Sequence, residues 1–175
     1  MKKEFVILVN KSGRRIGVAE KIQAHEQGLL HRAFSIFLFN DKGEMLLQRR
    51  AKHKYHFAGL WSNACCSHPR SGENVLSAAK RRLREELNLE TALISKGATT
   101  YKFFDSKSGL TEHEYDHIFF GRFNEMIRFN RREVETVRWV SLSKLKKEMK
   151  AHPEKFTPWF LEIVRVLGGG DQKAH

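Results

Sequence analysis

The sequence predicts an α+β fold: a mixed central sheet flanked by helices, an α/β/α sandwich built as a single domain. Three observations carry this. Short apolar runs bounded by Gly, Asn, Asp and Ser recur between Phe5 and Val140 and read as strands. Between them Val75, Leu76, Ala78, Ala79, Leu83 and Leu87 recur at helical spacing. Two further helical segments close the chain, and this order of strands, helix, strands and helices is that of an α+β domain. With 175 residues, 41% hydrophobic and 30% charged, the chain is long enough for one real core and has the composition of a soluble globular domain.

Each element has its own signal. Phe5-Val6-Ile7-Leu8-Val9 is the first strand, closed by a turn at Lys11-Ser12-Gly13, and a second strand runs from Arg15 to Ala19. Ala33 to Phe39 and Met45 to Gln48 form a hairpin around Asn40-Asp41-Lys42-Gly43. The amphipathic helix spans Asn74 to Leu87. Strands resume at Ala98 to Phe104, Tyr115 to Phe123 and Val134 to Val140. Ser141 and Ser143 are N-cap candidates for a short basic helix, Lys144 to Met149. Phe156 to Leu167 is the last helix, with Pro158 in its first turn. The domain therefore covers residues 1–167, and the Gly-rich end, 168–175, is expected to be disordered.

Bulk properties narrow the function. Cys65 and Cys66 are the two cysteines; a disulfide between neighbours is strained, so no framework arises and a reducing, cytoplasmic setting is expected. The apolar run after the N-terminus is too short for a signal-peptide core, and no run approaches a membrane span. A net charge of +12 points to polyanions, either nucleic acid or a small phosphorylated metabolite. The basic residues are dispersed and carry no zinc-finger or RNA-binding signature, so neither a nucleic-acid nor a membrane partner is expected.

Chemistry concentrates in two places. Trp61-Ser62-Asn63-Ala64-Cys65-Cys66-Ser67-His68-Pro69 sets a thiol beside an imidazole just before a helix bearing Glu85 and Glu86. Glu86 lies four residues beyond Arg82; alone, this is an ordinary surface pair. The second place is Glu112-His113-Glu114, whose two carboxylates share a face if the segment is a strand. Like charges so placed need a cation or a proton between them. His25, His31 and His68 offer imidazoles for such a cation, although His25 and His31 are six apart and need a loop to meet. Singly, each of these histidines is better read as an ordinary polar residue.

Counted from Ser67, Glu73 is six residues on, Arg81 fourteen, and Glu85-Glu86 eighteen and nineteen. This spacing resembles the Nudix box. Glu73, Arg81, Leu83, Glu85, Glu86 and Leu89 match it, whereas Ser67, Arg82 and Asn88 replace two glycines and a glutamate. Exchanging a metal-binding carboxylate for Arg82 weakens a multi-magnesium hydrolytic reading.

Over nearly its whole length the chain resembles the type 1 isopentenyl diphosphate isomerases, a divergent Nudix-fold family. The carrying segments are Leu30 to Ser35, Leu47 to Ala51, Trp61 to Pro69, Arg81 to Leu87, Glu112-His113-Glu114 and Phe156-Thr157-Pro158-Trp159. The resemblance implies interconversion of isopentenyl and dimethylallyl diphosphate through a carbocation-like state, in isoprenoid biosynthesis, without a redox cofactor. It implies Cys66 and Glu114 as the acid/base pair, in either order, with Tyr101 bonded near the glutamate and Trp159 facing the cationic carbon. It implies a metal set of His25, His31, His68, Glu112 and Glu114, for which Mn²⁺, Zn²⁺ and Mg²⁺ are all chemically suitable. It further implies a Mg²⁺ bridged by Glu86 to the diphosphate, which Lys21, Arg50, Lys54 and Arg82 surround, and Trp61 walling the alkyl pocket. Two other readings compete: a Nudix hydrolase of nucleoside diphosphate derivatives and a non-enzymatic basic module.

Overall fold

A computed structural model describes residues 3–54 and 56–168. The elements are β1 (Phe5–Val9), β2 (Arg15–Glu20), α1 (Lys21–Glu26), β3 (His31–Phe39), β4 (Glu44–Arg50), β5 (Trp61–Ser62) and β6 (Cys65–Ser67). They continue with α2 (Val75–Leu87), β7 (Leu93–Asp105), β8 (Leu110–Arg122), β9 (Val134–Ser141), α3 (Leu142–Ala151), a 3₁₀ turn (Pro153–Lys155) and α4 (Pro158–Gly168). The strands join in one mixed sheet centred on β3. β8 runs parallel to β3 along one edge, from His31 opposite Glu114 to Phe39 opposite Arg122. The other edge of β3 meets β1, β6 and β4. β7 extends the sheet beyond β8, and β9 and β5 flank β4.

β3 reads as a nearly continuous apolar run because both of its faces are covered. Phe34, Ile36 and Leu38 face α2, joining Ala78, Ala79, Leu83 and Leu87. Phe37 faces the opposite layer with Leu47, Ile118, Leu145, Phe160 and Ile163. Alternation on β6 divides the two cysteines the same way: Cys65 belongs to the α2 core, Cys66 to the other face.

The box residues have local structural reasons. Asn74 caps α2, its side chain accepting from the amides of Leu76 and Ser77. Glu73 and Arg81 form a two-pronged ion pair at 2.7 and 2.8 Å, tying the loop before α2 to the helix. Asn88 ends the helix in the left-handed conformation (φ 49°, ψ 40°), where glycine or asparagine is favoured; this is why Asn88 can replace the box glycine.

The sheet is longer than its apolar pattern. β7 begins at Leu93 rather than Ala98, and β8 at Leu110 rather than Tyr115. The early half of β7 is exposed and bulged between Ser95 and Ala98. In the early half of β8 buried carboxylates take the inward positions, so hydrophobic periodicity is silent there. α1 buries only Ala24 and His25, and β5 and β6 have two and three residues; none offers a periodic signal. α3 starts at Leu142 with Ser141 as its cap, while Ser143 lies inside the helix. α4 starts at Pro158 and ends at Gly168; residues 169–175, expected to be disordered, lie outside the described residues.

Two outcomes test this architecture. Leu83→Ala, opening a fully buried site under the sheet, should cost about 2–5 kcal/mol in denaturant unfolding. Glu73 is held below the ordinary glutamate value of 4.5 by hydrogen bonding to Arg81. Its contribution is therefore full at neutral pH and is lost as pH falls through the acid range. Glu73→Gln should flatten that part of the stability–pH curve.

Candidate active site

The β3–β8 register sets His31 opposite Glu114, and the β7–β8 register sets Tyr101 opposite the same glutamate. Glu112 is two residues along β8 on the same inward face. α1 delivers His25, and the chain leaving β6 delivers His68. The donor atoms of His25, His31, His68, Glu112 and Glu114 all lie within 4.8 Å of one another. The helix α1 and the turn into β3 are the device that brings His25 to His31; their ring centroids are 4.7 Å apart.

The tautomers are legible. His25 Nδ1 lies 2.6 Å from the Lys21 carbonyl and His31 Nδ1 2.8 Å from the Leu29 carbonyl. A carbonyl only accepts, so each Nδ1 carries the proton and each Nε2 turns a lone pair into the cluster. There His31 Nε2 lies 3.2 Å from His68 Nε2 and 3.5 Å from Glu114 Oε1, and His25 Nε2 lies 3.4 Å from Glu112 Oε2. The convergent Nε2 atoms of three imidazoles and oxygens of two carboxylates, with the other ring nitrogens of His25 and His31 anchored on backbone, fit a divalent cation.

Charge is set by the same crowding. Burial raises the Glu114 carboxyl, but the adjacent His31 and His68 imidazoles outweigh it and hold the group well below the usual range. Burial and the Glu114 charge push Glu112 up. His68 is driven down to about 3, mainly by burial. The Cys66 thiol is pushed up to about 12 by burial and by Asp116, so it carries its proton at neutral pH.

A cleft of about 450 Å³, solvent included, opens beside the cluster. It is lined by Cys66, Glu112, Glu114, His68, His56 and Trp159, with Lys21, Arg50, Lys54 and Arg82 as its cations. Cys66 Sγ donates to Asn63 Oδ1 at 2.9 Å and accepts from Trp159 Nε1 at 3.2 Å. Asn63 is fully buried, its amide nitrogen spent on the carbonyls of Ile36 and Cys65. Tyr101 OH hydrogen-bonds Glu114 closely and lies 3.4 Å from Asp116, which accepts from Ser35 Oγ at 2.7 Å. Ser35 Oγ in turn is 3.5 Å from Cys66 Sγ. A continuous buried chain thus links Glu114 to Cys66 beneath the cleft.

The cations are held by carboxylates. Lys21 pairs with Glu4 at 2.8 Å, Lys54 pairs with Glu133, and Arg82 reaches Glu86 at 2.5 Å and Glu85 at 2.9 Å. Glu86 is buried and also accepts from Gln48; it meets the cleft only through Arg82. Arg50 donates to the carbonyls of His56 and Phe57 and lies 5.3 Å from the Trp159 ring centre.

Trp61 departs from expectation. It is not among the residues lining the cleft; its ring stacks under Arg138 at 4.4 Å. Ser62 reaches Cys66 (3.9 Å), while Trp61 packs on the cluster of Phe156, Trp159 and Phe160. Sequence reasoning also missed His56, Ser35, Asn63, Gln48, Asp116 and Glu133. Asp116 had a signal, since it extends Glu112 and Glu114 by one more inward position of β8. His56 had none, because it sits in an irregular segment.

The NUDIX domain profile matches residues 29–160. An isopentenyl-diphosphate Delta-isomerase of Serratia proteamaculans is 45% identical, covering 97% of this chain and 94% of its own length. One of Halorhodospira halophila is 43% identical, covering 93% and 94%. Among solved structures, a Deinococcus radiodurans protein superposes with a TM-score of 0.77 at 22% identity, covering 93% of this chain and 98% of its own. The MutT protein of Methanosarcina mazei does so at 0.68 and 18%, covering 82% and 96%. At such identities the superpositions speak for the fold. The chain belongs to the Nudix superfamily and, within it, to the isopentenyl-diphosphate Delta-isomerase family.

The metal-type centre predicts a linkage effect. A divalent ion at ~100 times its Kd should stabilise chelator-stripped protein by about 2.7 kcal/mol, read as a rise in Tm. His31→Ala should melt lower and lose that response; an equal rise in both proteins would remove the cluster as the site.

Proposed function

We propose that this protein interconverts isopentenyl and dimethylallyl diphosphate by protonation and deprotonation through a carbocation-like state. The observation that carries the reading is that Cys66 and Glu114, from strands on the two edges of β3, line one cleft with Trp159 and a group of cations. An allylic shift needs a proton delivered to one carbon and another taken from a second, with water kept away.

In this reading Lys21, Arg50, Lys54 and Arg82 receive the diphosphate. Arg50 donates to two backbone carbonyls, and its planar guanidinium has five N–H groups suited to oxygen ligands. Cys66 and Glu114 are the acid/base pair. Because the reaction is reversible, whichever donates in one direction accepts in the other. Asn63 and Trp159 orient the thiol from two sides; Tyr101 orients Glu114. The Trp159 ring stabilises the cationic carbon by electrostatic attraction, worth about 2 kcal/mol when desolvated.

His25, His31, His68, Glu112 and Glu114 would hold one divalent ion, with Mn²⁺, Zn²⁺ and Mg²⁺ the candidates; Glu86, now bonded by Arg82 and Gln48, would hold a Mg²⁺ beside the diphosphate only on exchanging the Arg82 contact for it. These ions would neutralise the paired carboxylates and the diphosphate charge. Arg82 occupies the box position of a hydrolytic carboxylate, which removes one metal ligand and favours diphosphate retention over cleavage. Residues 1–167 would form the working domain. Among the described residues no helix is long and apolar enough to cross a membrane, in keeping with a small diphosphate substrate met in the cytoplasm.

The test is proton NMR of the protein with isopentenyl diphosphate and Mg²⁺ in deuterated buffer. Dimethylallyl diphosphate carrying deuterium in the new methyl group is expected. No conversion with Mg²⁺, Mn²⁺ or Zn²⁺ would sink the reading. Cys66→Ala and Glu114→Gln should each fold and lose ~100- to 10,000-fold in turnover; near-normal turnover in Cys66→Ala would remove the thiol from the chemistry.

A further inference from the structure

His56 is buried and lines the cleft, yet it is not among the five residues whose donor atoms converge. Its Nε2 makes a close contact with Glu112 Oε1, while Glu112 Oε2 turns toward His25 Nε2 at 3.4 Å. The two oxygens of Glu112 thus have separate duties, one facing His56 and one facing the cluster. The segment carrying His56 is braced from three directions. Arg50 donates to the carbonyls of both His56 and Phe57. The Phe57 amide donates to Asp105 Oδ2 at 3.2 Å, which anchors the segment to the end of β7, hairpin partner of the strand bearing Glu112. Phe57 itself is held at φ 46°, the left-handed region that a bulky residue adopts only where its surroundings impose it. Its ring meets Trp159 edge-on at 5.2 Å.

Backbone strain next to a buried imidazole, fixed by an arginine and an aspartate, is the mark of a side chain whose position matters. We infer that His56 is a positioning residue of the metal centre. It donates from Nε2 to Glu112 Oε1 and so aims Oε2 at the ion that His25, His31, His68 and Glu114 share. Glu112 lies two residues from Glu114 on one buried face, and without a donor on its outer oxygen it would be free to rotate away from its neighbour's charge. Partners behind metal-ligating carboxylates tune affinity in this way. The inference rests on the metal-centre reading proposed above.

Metal affinity of the chelator-stripped full chain tests it, using Mn²⁺ followed by electron paramagnetic resonance and Zn²⁺ by competition with a chromophoric chelator. His56→Ala should weaken binding about 10- to 100-fold and broaden the bound Mn²⁺ spectrum. His56→Gln, whose amide nitrogen can stand where Nε2 stood, should recover most of the loss. His56→Asn, whose amide falls short of Glu112, should not, and it serves if the alanine variant folds poorly. Wild-type affinity in both His56→Ala and His56→Asn would overturn the inference. So would a change confined to KM for the diphosphate, which would make His56 a substrate contact. Absence of Mn²⁺ and Zn²⁺ binding by the wild-type chain would overturn the metal-centre reading and this inference with it. Binding is read without substrate, so failure of the isomerase reading alone produces none of these results.

Discussion

Glu112, Glu114 and Asp116 occupy three successive inward positions of β8, and all three are buried. Carboxylates this close in a low-dielectric interior repel, and each loses its hydration, so such a strand is unstable unless donors or cations meet every member. The sheet supplies them in order. His25 and His56 flank Glu112; His31, His68 and Tyr101 surround Glu114; Ser35 and Tyr101 serve Asp116. The site is built around this file of acids. Its environment changes along β8, from a metal-type cluster at one end to a neutral, hydrogen-bonded interior toward Cys66.

That gradient separates Glu114 from Cys66, the two groups proposed to carry protons. Glu114 sits among imidazoles and stays ionised, whereas Cys66 sits near Asp116 in apolar surroundings and keeps its proton. Burial acts on both, but the neighbours decide its outcome. A thiol and a carboxylate that rest in opposite protonation states in one cleft suit a reaction that moves protons without moving electrons. In the proposed function the Nudix helix serves the other end of the substrate. Arg81 and Glu73 have become a structural brace, and Arg82 and Glu86 a charged pair beside the cleft. In the proposed reading this arrangement of the Nudix scaffold holds a diphosphate.

Much of this was readable in the chain. The apolar runs of β1, β3, β4 and β9 and the periodicity of α2 depend on burial pattern alone, which residue order records directly. The left-handed end of α2 at Asn88 and the caps at Asn74 and Ser141 are local and equally legible. The early half of β8 was not, because its inward positions carry acids instead of apolar side chains. Neither were β5 and β6, which exist only because β4 and β3 offer free edges to pair with. The cluster of His25, His31, His68, Glu112 and Glu114, and the proposed acid/base pair, were suggested by motif resemblance alone, since His25, His31, His68 and Glu112 share no common periodicity.

By itself, then, the sequence determined the class of fold, the family and the residue types that the chemistry needs, because motifs, caps and burial patterns are local properties of the chain. Which side chains meet was decided by tertiary structure. The parallel register of β3 with β8 puts His31 beside Glu114, and the pairing of β4 with β9 and β5 puts Arg138 over the Trp61 ring. The bracing of His56 and Phe57 brings His56 to Glu112 across fifty-six positions of sequence. Such contacts depend on strand pairing and loop anchoring between distant segments, and one chain read linearly carries no record of them.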